Sequence, residues 1–573
     1  MIPNFYKEMN EIPLTNHGKL NRKALPEPEF NLKDLIKEPY VAPQSEVEKT
    51  LCVLYSKIFN IPIENIGIKS VFHELGGDSL IAIKILTQVN KIFNIKLGVK
   101  DILENATIYS LANCIEQKII NNNNNNKDNN QINQMGCVQR YNKDEFPITS
   151  LLSSFPYKID NKLILAFSFN MLVFYQLNKA TNIEKLIKAI NIVLERHEIL
   201  KTRFMINQEN KIVGKTIKDE KLEIEYYTKD NFEKFVRPFN LTKDKLLIRV
   251  GLIQGTEDED VILMMDMDHR IGDGISYGIL IKELLMAYSD IPLPELPIQY
   301  SDYAIDYDKR VHSIERSDII KFYKDEIFNE PYASQLTLPK KENFEIKCKA
   351  IESYFVRTNE ETYRTINQIT EKYKLSKTAL FLTVYSFVIS MYSDDDENKN
   401  IFTTVLVSNR MMPDTEKLIG LFLRCIPLLI KIKKGVTLLD LIKECMNIIL
   451  KAYDCDIPYT MISEAINLPV CNSVIQFDPY DLKRSQNQNQ NQNQNLPKLI
   501  SLLEMFKKYG KESVLFQLLN SNNILHPDSK WTIGEEKDYY SILFKYNKNL
   551  YSDSLIKEIV NRFIYILSDE NNF

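Results

Sequence analysis

The segment Phe72-His-Glu-Leu-Gly-Gly-Asp-Ser-Leu80 lies between two stretches of helical character. After it, Ile81, Ile85 and Val89 recur at i+4 while Lys84, Gln88 and Lys91 keep to another face, so a helix is expected to start at or beside Ser79. Before it, Ser45-Glu-Val-Glu48 has the spacing of a capping box, and Val47, Leu51, Leu54, Tyr55 and Ile58 continue at helical intervals. A last helical segment, Ser110 to Gln117, completes an all-helical unit over 42–118. Such a unit is too small and too poor in reactive side chains to be an enzyme alone. Ser79 lacks GxSxG surroundings, so a nucleophilic serine is not indicated. Two readings of it stay open, a plain N-cap and a modification site. The glycines permit close backbone approach, and a phosphodiester at a helix N-terminus meets amide N–H groups and the positive end of the dipole.

The whole chain has 573 residues, 44% of them apolar and 26% charged, with a net charge of −4. At about 150 residues per domain, three or four compact units are expected. The composition fits neither wholesale disorder nor a membrane bundle, and no apolar run reaches the roughly 18 residues of a spanning helix. A balanced charge creates no field to draw in nucleic acid or anionic lipid, so neither is an expected partner. Met1-Ile-Pro-Asn-Phe-Tyr-Lys-Glu8 has none of the marks of a signal peptide, and the cytoplasm is the expected location. The eight cysteines include no CxxC pair, which argues against a zinc site or a disulfide framework and for free, mostly buried thiols. His17, His73, His197, His312 and His526 share no metal-ligand spacing, so no metal is expected.

Two polar tracts punctuate the chain, Asn121 to Gln134 and Gln486 to Asn495. Neither can bury apolar surface, so the first reads as a disordered linker and the second as an expanded surface loop. Prolines at both ends of the stretch from Leu25 to Pro43 suit an extended connector. The expected organisation is a stub over 1–26, a linker over 27–41, the helical unit over 42–118, a linker over 119–137 and a large unit over 138–573.

Within the large unit, Ile183, Leu186, Ile187, Ile190, Val193 and Leu194 mark an amphipathic helix running into Glu195-Arg-His-Glu-Ile-Leu-Lys-Thr-Arg-Phe204. Val261-Ile-Leu-Met-Met265 reads as a short buried strand, Asp266-Met-Asp-His-Arg-Ile-Gly-Asp-Gly274 as a turn, and Ile275 to Tyr288 as a helix. A histidine at a strand end, His269, is well placed to face a cleft.

The Phe72–Leu80 motif in its helical setting resembles the carrier (thiolation) domain of nonribosomal peptide synthetases. The resemblance implies 4′-phosphopantetheine attached covalently to Ser79 from coenzyme A, with Gly77, Asp78 and Leu80 around it, and a phosphopantetheinyl transferase as partner. The attached arm would ferry an acyl or aminoacyl thioester. Ile12-Pro-Leu-Thr-Asn-His-Gly-Lys-Leu-Asn-Arg-Lys-Ala-Leu-Pro26 resembles the last motif of adenylation domains. Lys19 matches its lysine, but without the nucleotide-binding core a vestigial Lys19 and no adenylating activity are expected. Other synthetase modules or a stand-alone adenylating enzyme would then supply the acyl group.

The large unit resembles the condensation domain of the same synthetases through Arg196-His-Glu-Ile-Leu-Lys-Thr-Arg-Phe204, His269-Arg-Ile-Gly-Asp-Gly274, Leu296-Pro-Ile-Gln-Tyr-Ser-Asp-Tyr-Ala304, Leu418-Ile-Gly-Leu-Phe422 with Pro427, Asp456-Ile-Pro-Tyr459 and Tyr546-Asn547. The implied fold class is multidomain: an all-α four-helix carrier bundle plus an α+β condensation domain of two chloramphenicol-acetyltransferase-like lobes enclosing a tunnel. His269 matches the second histidine of the HHxxxDG motif, which positions or deprotonates the attacking amine or stabilises the developing charge. Asp273 is expected to be structural, in a salt bridge with a base such as Arg196, and Gly274 to let the turn close tightly.

The chain departs from the pattern at Asp268, which replaces the first histidine, and at Arg424, which replaces an asparagine and is expected to block or recharge the tunnel. The stretch from Pro469 to Phe477 has no clear RDxSR counterpart, and Phe146 to Phe155 lacks the family's glutamine and tryptophan. Asp268 beside His269, if both are buried, would favour imidazolium and weaken a general base. The resemblance thus implies an acyltransferase passing a thioester-bound acyl group to a small amine or alcohol. The alternatives are a carrier with a degenerate docking module, or a fragment of a longer synthetase.

Overall fold

The computed structural model describes residues 40–125 and 138–573, excepting 60, 73, 76, 78, 94, 96, 150–157, 160–161, 164–169, 179, 210, 241–243, 254–260, 314–315, 332–337, 342–349, 393–398, 411, 470, 472, 479–497, 501 and 512–527. Lys19, Asp78 and the Gln486–Asn495 tract fall outside the described residues. The chain divides into two compact units, 1–133 and 134–573, fewer than its length suggests, because the larger unit holds two large apolar cores.

In the smaller unit, helix α1 (Glu46–Phe59) starts on the expected capping box. Glu48 N–H donates to Ser45 Oγ at 3.2 Å and Ser45 N–H to Glu48 Oε2 at 3.0 Å. Helices α2 (Ser79–Phe93), α3 (Val99–Glu104) and α4 (Ile108–Asn125) follow. Leu51 and Tyr55 of α1, Ile85 and Val89 of α2, Ile102 of α3, and Leu111 and Ile115 of α4 are buried. Helix α4 runs to Asn125, into the stretch expected to be a disordered linker, because a helix under way gains a backbone hydrogen bond per residue whether or not its side chains are buried.

The larger unit opens with β1 (Glu145–Pro147), the short pair β2 (Lys158–Ile159) and β3 (Lys162–Leu163), and β4 (Asn170–Leu177). Helix α5 (Ile183–Arg196) is followed by β5 (Thr202–Ile206), β6 (Ile212–Thr216), β7 (Ile224–Tyr227), β8 (Ile248–Ile253) and β9 (Val261–Asp268). Then come α6 (Gly274–Tyr288), α7 (Tyr300–Ser313) and α8 (Arg316–Phe322). The second half contains β10 (Ile351–Arg357), α9 (Glu360–Tyr373), α10 (Lys377–Ser390), β11 (Ile401–Ser408), β12 (Leu423–Ile430), α11 (Leu438–Asp454) and α12 (Tyr459–Ile466). It ends with β13 (Ser473–Asp478), β14 (Lys498–Ile500), α13 (Leu502–Lys508), β15 (Ser529–Glu535), β16 (Tyr540–Asn547) and α14 (Asp553–Ser568).

The first large sheet has the order β14-β4-β9-β8-β7 and the second β10-β16-β15-β13-β11-β12, with a small β1-β6-β5 sheet beside them. Alternation along β9 sends Leu263, Met265 and Met267 into the core under α5 and α6, and Ile262 and Met264 into a smaller core with Phe232, Phe235 and Phe506. The strand runs three residues past the expected end, because Asp266 and Asp268 pair with Leu172 and Asn170 of β4. The second sheet buries Trp531, Phe544, Ile475 and Val405 against α9, α10, α11 and α14. Two segments of the second half complete the first. Strand β14 pairs with β4, Leu499 opposite Tyr175, and Leu418, Ile419, Leu421 and Phe422 lie in the first core.

Candidate functional site

The site forms where β9 ends and α6 begins. Asp273 is the N-cap of α6, its Oδ1 accepting from Ser276 N–H at 2.9 Å and from Ser276 Oγ at 2.8 Å. Its salt-bridge partner is Arg410, at 3.0 Å, two residues beyond β11, and its Oδ2 accepts from Phe422 N–H at 3.1 Å. Burial opposes ionisation of Asp273, but Arg410 and these donors outweigh it and hold the carboxyl below the usual carboxylate range. Arg410 in turn donates to the Thr415 and Leu418 carbonyls at 2.7 and 2.6 Å, and its guanidinium lies 4.0 Å from the Phe422 ring centroid. This cluster ties the first half of the larger unit to the second.

The expected partner Arg196 is therefore corrected. Its Nε donates to Glu283 at 3.0 Å, and the same carboxylate meets His197 Nε2 at 2.8 Å. Arg196 stands at the end of α5, which packs along α6 and brings it to Glu283 rather than to the first turn of that helix. Gly274 is also corrected, since a Cβ there meets nothing within 4 Å. The tight approach is at Gly420, where a Cβ would run into the Tyr300 ring, and the Tyr300 hydroxyl donates to Leu421 O at 2.9 Å.

His269 is half-buried, with Nδ1 2.9 Å from Gly272 O. A carbonyl can only accept, so Nδ1 carries a proton, and the neutral tautomer compatible with this bond has its lone pair on Nε2. Asp268 and Arg270 are both buried and paired with each other, Arg270 Nε donating to Asp268 Oδ1 at 2.7 Å and Nη2 meeting Oδ2. The carboxylate is thus taken up by Arg270, and because His269 is half-buried, the condition that both Asp268 and His269 be buried is not met. Arg424 is likewise no plug. Buried on β12, it donates to Cys455 O at 2.5 Å and Tyr453 O at 2.8 Å, closing the carboxyl end of α11.

Two features escaped the sequence reading. Arg410 is 137 residues from its partner, and the only hint of it is a basic residue just past an apolar strand, Ile401–Ser408, in a chain whose buried acid needs a base. Asp266 is fully buried, with Asn170 Nδ2 donating to Oδ2 at 2.6 Å, Arg249 at 3.9 Å and, among the described residues, no hydrogen bond to Oδ1. Burial pushes its carboxyl up to about 7 against the pull of Arg249 and Asn170.

In the smaller unit, α2 begins at Ser79, and Gly77 N–H donates to Phe72 O at 2.9 Å. A Cβ at Gly77 would come within 2.5 Å of the buried Phe72 ring, so only glycine lets the chain turn there into the helix. Leu80 is the second residue of α2.

A condensation domain profile matches residues 166–570, and a phosphopantetheine attachment site profile matches residues 49–115. Bacitracin synthase 3 of Bacillus licheniformis is 26% identical over 592 aligned residues, covering 100% of this chain and 8% of that protein. Surfactin synthase subunit 1 of Bacillus subtilis (strain 168) is 27% identical over 82% of this chain and 13% of its own length. The chain thus spans about a tenth of these relatives. Among solved structures, the X-domain from teicoplanin biosynthesis shares the fold with a TM-score of 0.59 at 15% identity, over 76% of this chain and 96% of that one. No helix among the described residues is long and apolar enough to cross a membrane. With most of its length matched by the condensation profile and a carrier match before it, the chain belongs to the condensation-domain family of nonribosomal peptide synthetases.

Proposed function

We propose that the chain carries an acyl or aminoacyl group on Ser79 and that its condensation domain transfers such a group to an amine or hydroxyl acceptor. In this reading residues 42–118 are a four-helix carrier bundle, 1–26 the end of an adenylation domain with a vestigial Lys19, and 138–573 two chloramphenicol-acetyltransferase-like lobes around a tunnel. The residues present fit 4′-phosphopantetheine. Ser79 is the first residue of a 15-residue helix, where backbone amides point out of the helix toward an anionic phosphodiester. When bound, the group supplies a thiol that holds the acyl unit as a thioester. A phosphopantetheinyl transferase would install it, and other synthetase modules or an adenylating enzyme would charge it.

The observation that carries the transfer reading is the orientation of His269. With Nδ1 bound to Gly272 O, the ring is held by its own turn and presents Nε2 as the basic nitrogen, suited to take the proton of an amine attacking an acyl carbonyl. Asp273 acts through structure, fixing the turn from below by its pairing with Arg410. Intact mass after incubation with coenzyme A and the transferase tests the first half: wild type gains one phosphopantetheine arm and Ser79→Ala gains none. Transfer from a loaded carrier to amine acceptors tests the second, with a fall of about 100-fold expected in His269→Ala, the range of general acid–base catalysis. Unchanged transfer in that variant overturns the assignment. The Asp268–Arg270 pair favours a second reading, in which the degenerate motif leaves a docking module that binds carriers without turnover. Loading at Ser79 with no transfer to any acceptor would select it.

A further inference from the structure

The second sheet has one face packed on α9, α10, α11 and α14, and an opposite face that is polar along β15 and β16 but buries Phe402 and Leu429 at its β11–β12 end. Along a single row across its six strands, that second face bears Ser353, Lys545, Lys530, Val474, Thr404 and Pro427, each the register partner of the next. Lys530 and Lys545 sit directly opposite each other on antiparallel β15 and β16, so their Cβ atoms are about 5 Å apart. Both are half-buried, and among the described residues neither ammonium has a hydrogen-bond or ion-pair partner. Asp478 is the carboxylate whose field reaches Lys530, but it lies four residues along β13 from Val474, about 13 Å of strand, and Gln476 Nε2 donates to it at 2.8 Å. Burial, then Lys545, pushes Lys530 below the usual lysine range, and burial does the same to Lys545.

Two like charges placed opposite one another and drawn out of water destabilise a sheet unless something between them is negative. The same face reaches the first core at Leu423, the residue after Phe422, whose N–H is bound by Asp273. We propose that Lys530 and Lys545 form a receptor for an oxyanion, a carboxylate or phosphate that accepts hydrogen bonds from both ammonium groups. A carboxylate would arrive on an acidic acyl or acceptor substrate, a phosphate on a phosphorylated one. The site is a binding site in its own right and does not depend on turnover at His269.

Calorimetric titration of the full chain with inorganic phosphate, with glutarate and with neutral glutaramide tests this. One equivalent of at least one anion should bind saturably and the amide should not, the tighter anion identifying the source. Binding should weaken at least tenfold in Lys530→Met and in Lys545→Met, while the melting temperature of each variant without anion stays at or above that of wild type. A measurement on wild type alone needs no folded variant: acylation of lysines near neutral pH, read by peptide mass, should slow at Lys530 and Lys545 when the binding anion is present. No saturable binding of either anion, equal binding by the Lys530→Met/Lys545→Met double variant, or labelling at both lysines indifferent to anion would overturn the proposal.

Discussion

Asp273 and Lys530 are both drawn out of bulk water, and their surroundings treat the charge in opposite ways. Asp273 is met by Arg410, by the Ser276 hydroxyl and by two backbone N–H groups, so its burial is fully compensated and the ion pair serves as a tie between the halves of the larger unit. Lys530 faces another lysine. The first arrangement is complete as it stands, whereas the second becomes favourable only when a negative group arrives. A compensated buried charge is thus read as structure, and an uncompensated one as a place for a ligand.

Breaking the tie is expected to give the largest effect. Arg410→Met strands the Asp273 carboxylate in the interior and should lower unfolding free energy by about 3–5 kcal/mol, read by urea denaturation. A loss below about 1 kcal/mol would rank the pair with exposed ion pairs and erase its difference from the surface. The sign with pH follows from the depressed carboxyl: the contribution of Asp273 is present above the unfolded value near 3.9 and is lost as pH falls through the folded one.

Asp266 stands between the two cases, with one oxygen bound by Asn170 and the other without a hydrogen bond among the described residues. Its folded carboxyl is raised, so the folded state holds the proton that the unfolded state releases, and stability falls as pH rises from about 4 toward 7. From a folded value of about 7 and an unfolded one near 3.9, the loss between pH 4 and pH 6 is about 2 kcal/mol. Asp266→Asn should flatten the pH–stability curve by that amount, as followed by thermal melts at constant ionic strength. A curve parallel to wild type would mean that Asp266 stays ionised and that Arg249, 3.9 Å away, neutralises it after all.

Whatever is local was legible in the sequence. The Ser45–Glu48 capping box, the start of α2 at Ser79 and the strand–turn–helix around His269 all depend on residues within one or two turns of each other. The boundaries that shifted did so for reasons outside the pattern. Helix α4 propagates into polar residues, and β9 is lengthened by pairing with β4. The partner of Asp273 was not legible, because Arg410 is set by which loop closes over α6, and Arg196, nearer in sequence, is carried to Glu283. Equally hidden were the return of β14 to the first sheet and the pairing of Lys530 with Lys545, since register between strands is a tertiary fact.

The smallest effect separates two glycines that the sequence makes look alike. Gly274 follows the N-cap Asp273 and Gly420 faces it across the tie, yet only Gly420 lies where a side chain has no room. At Gly274 the helix has begun, φ is not in the left-handed range, and a Cβ meets nothing within 4 Å. Gly274→Ala should therefore stabilise the protein by about 0.5 kcal/mol, through the freedom it removes from the unfolded chain. A loss of 1 kcal/mol or more in the same urea titration would show that the first turn of α6 needs the glycine, and that the polar tie at Asp273 rests on backbone geometry as much as on Arg410.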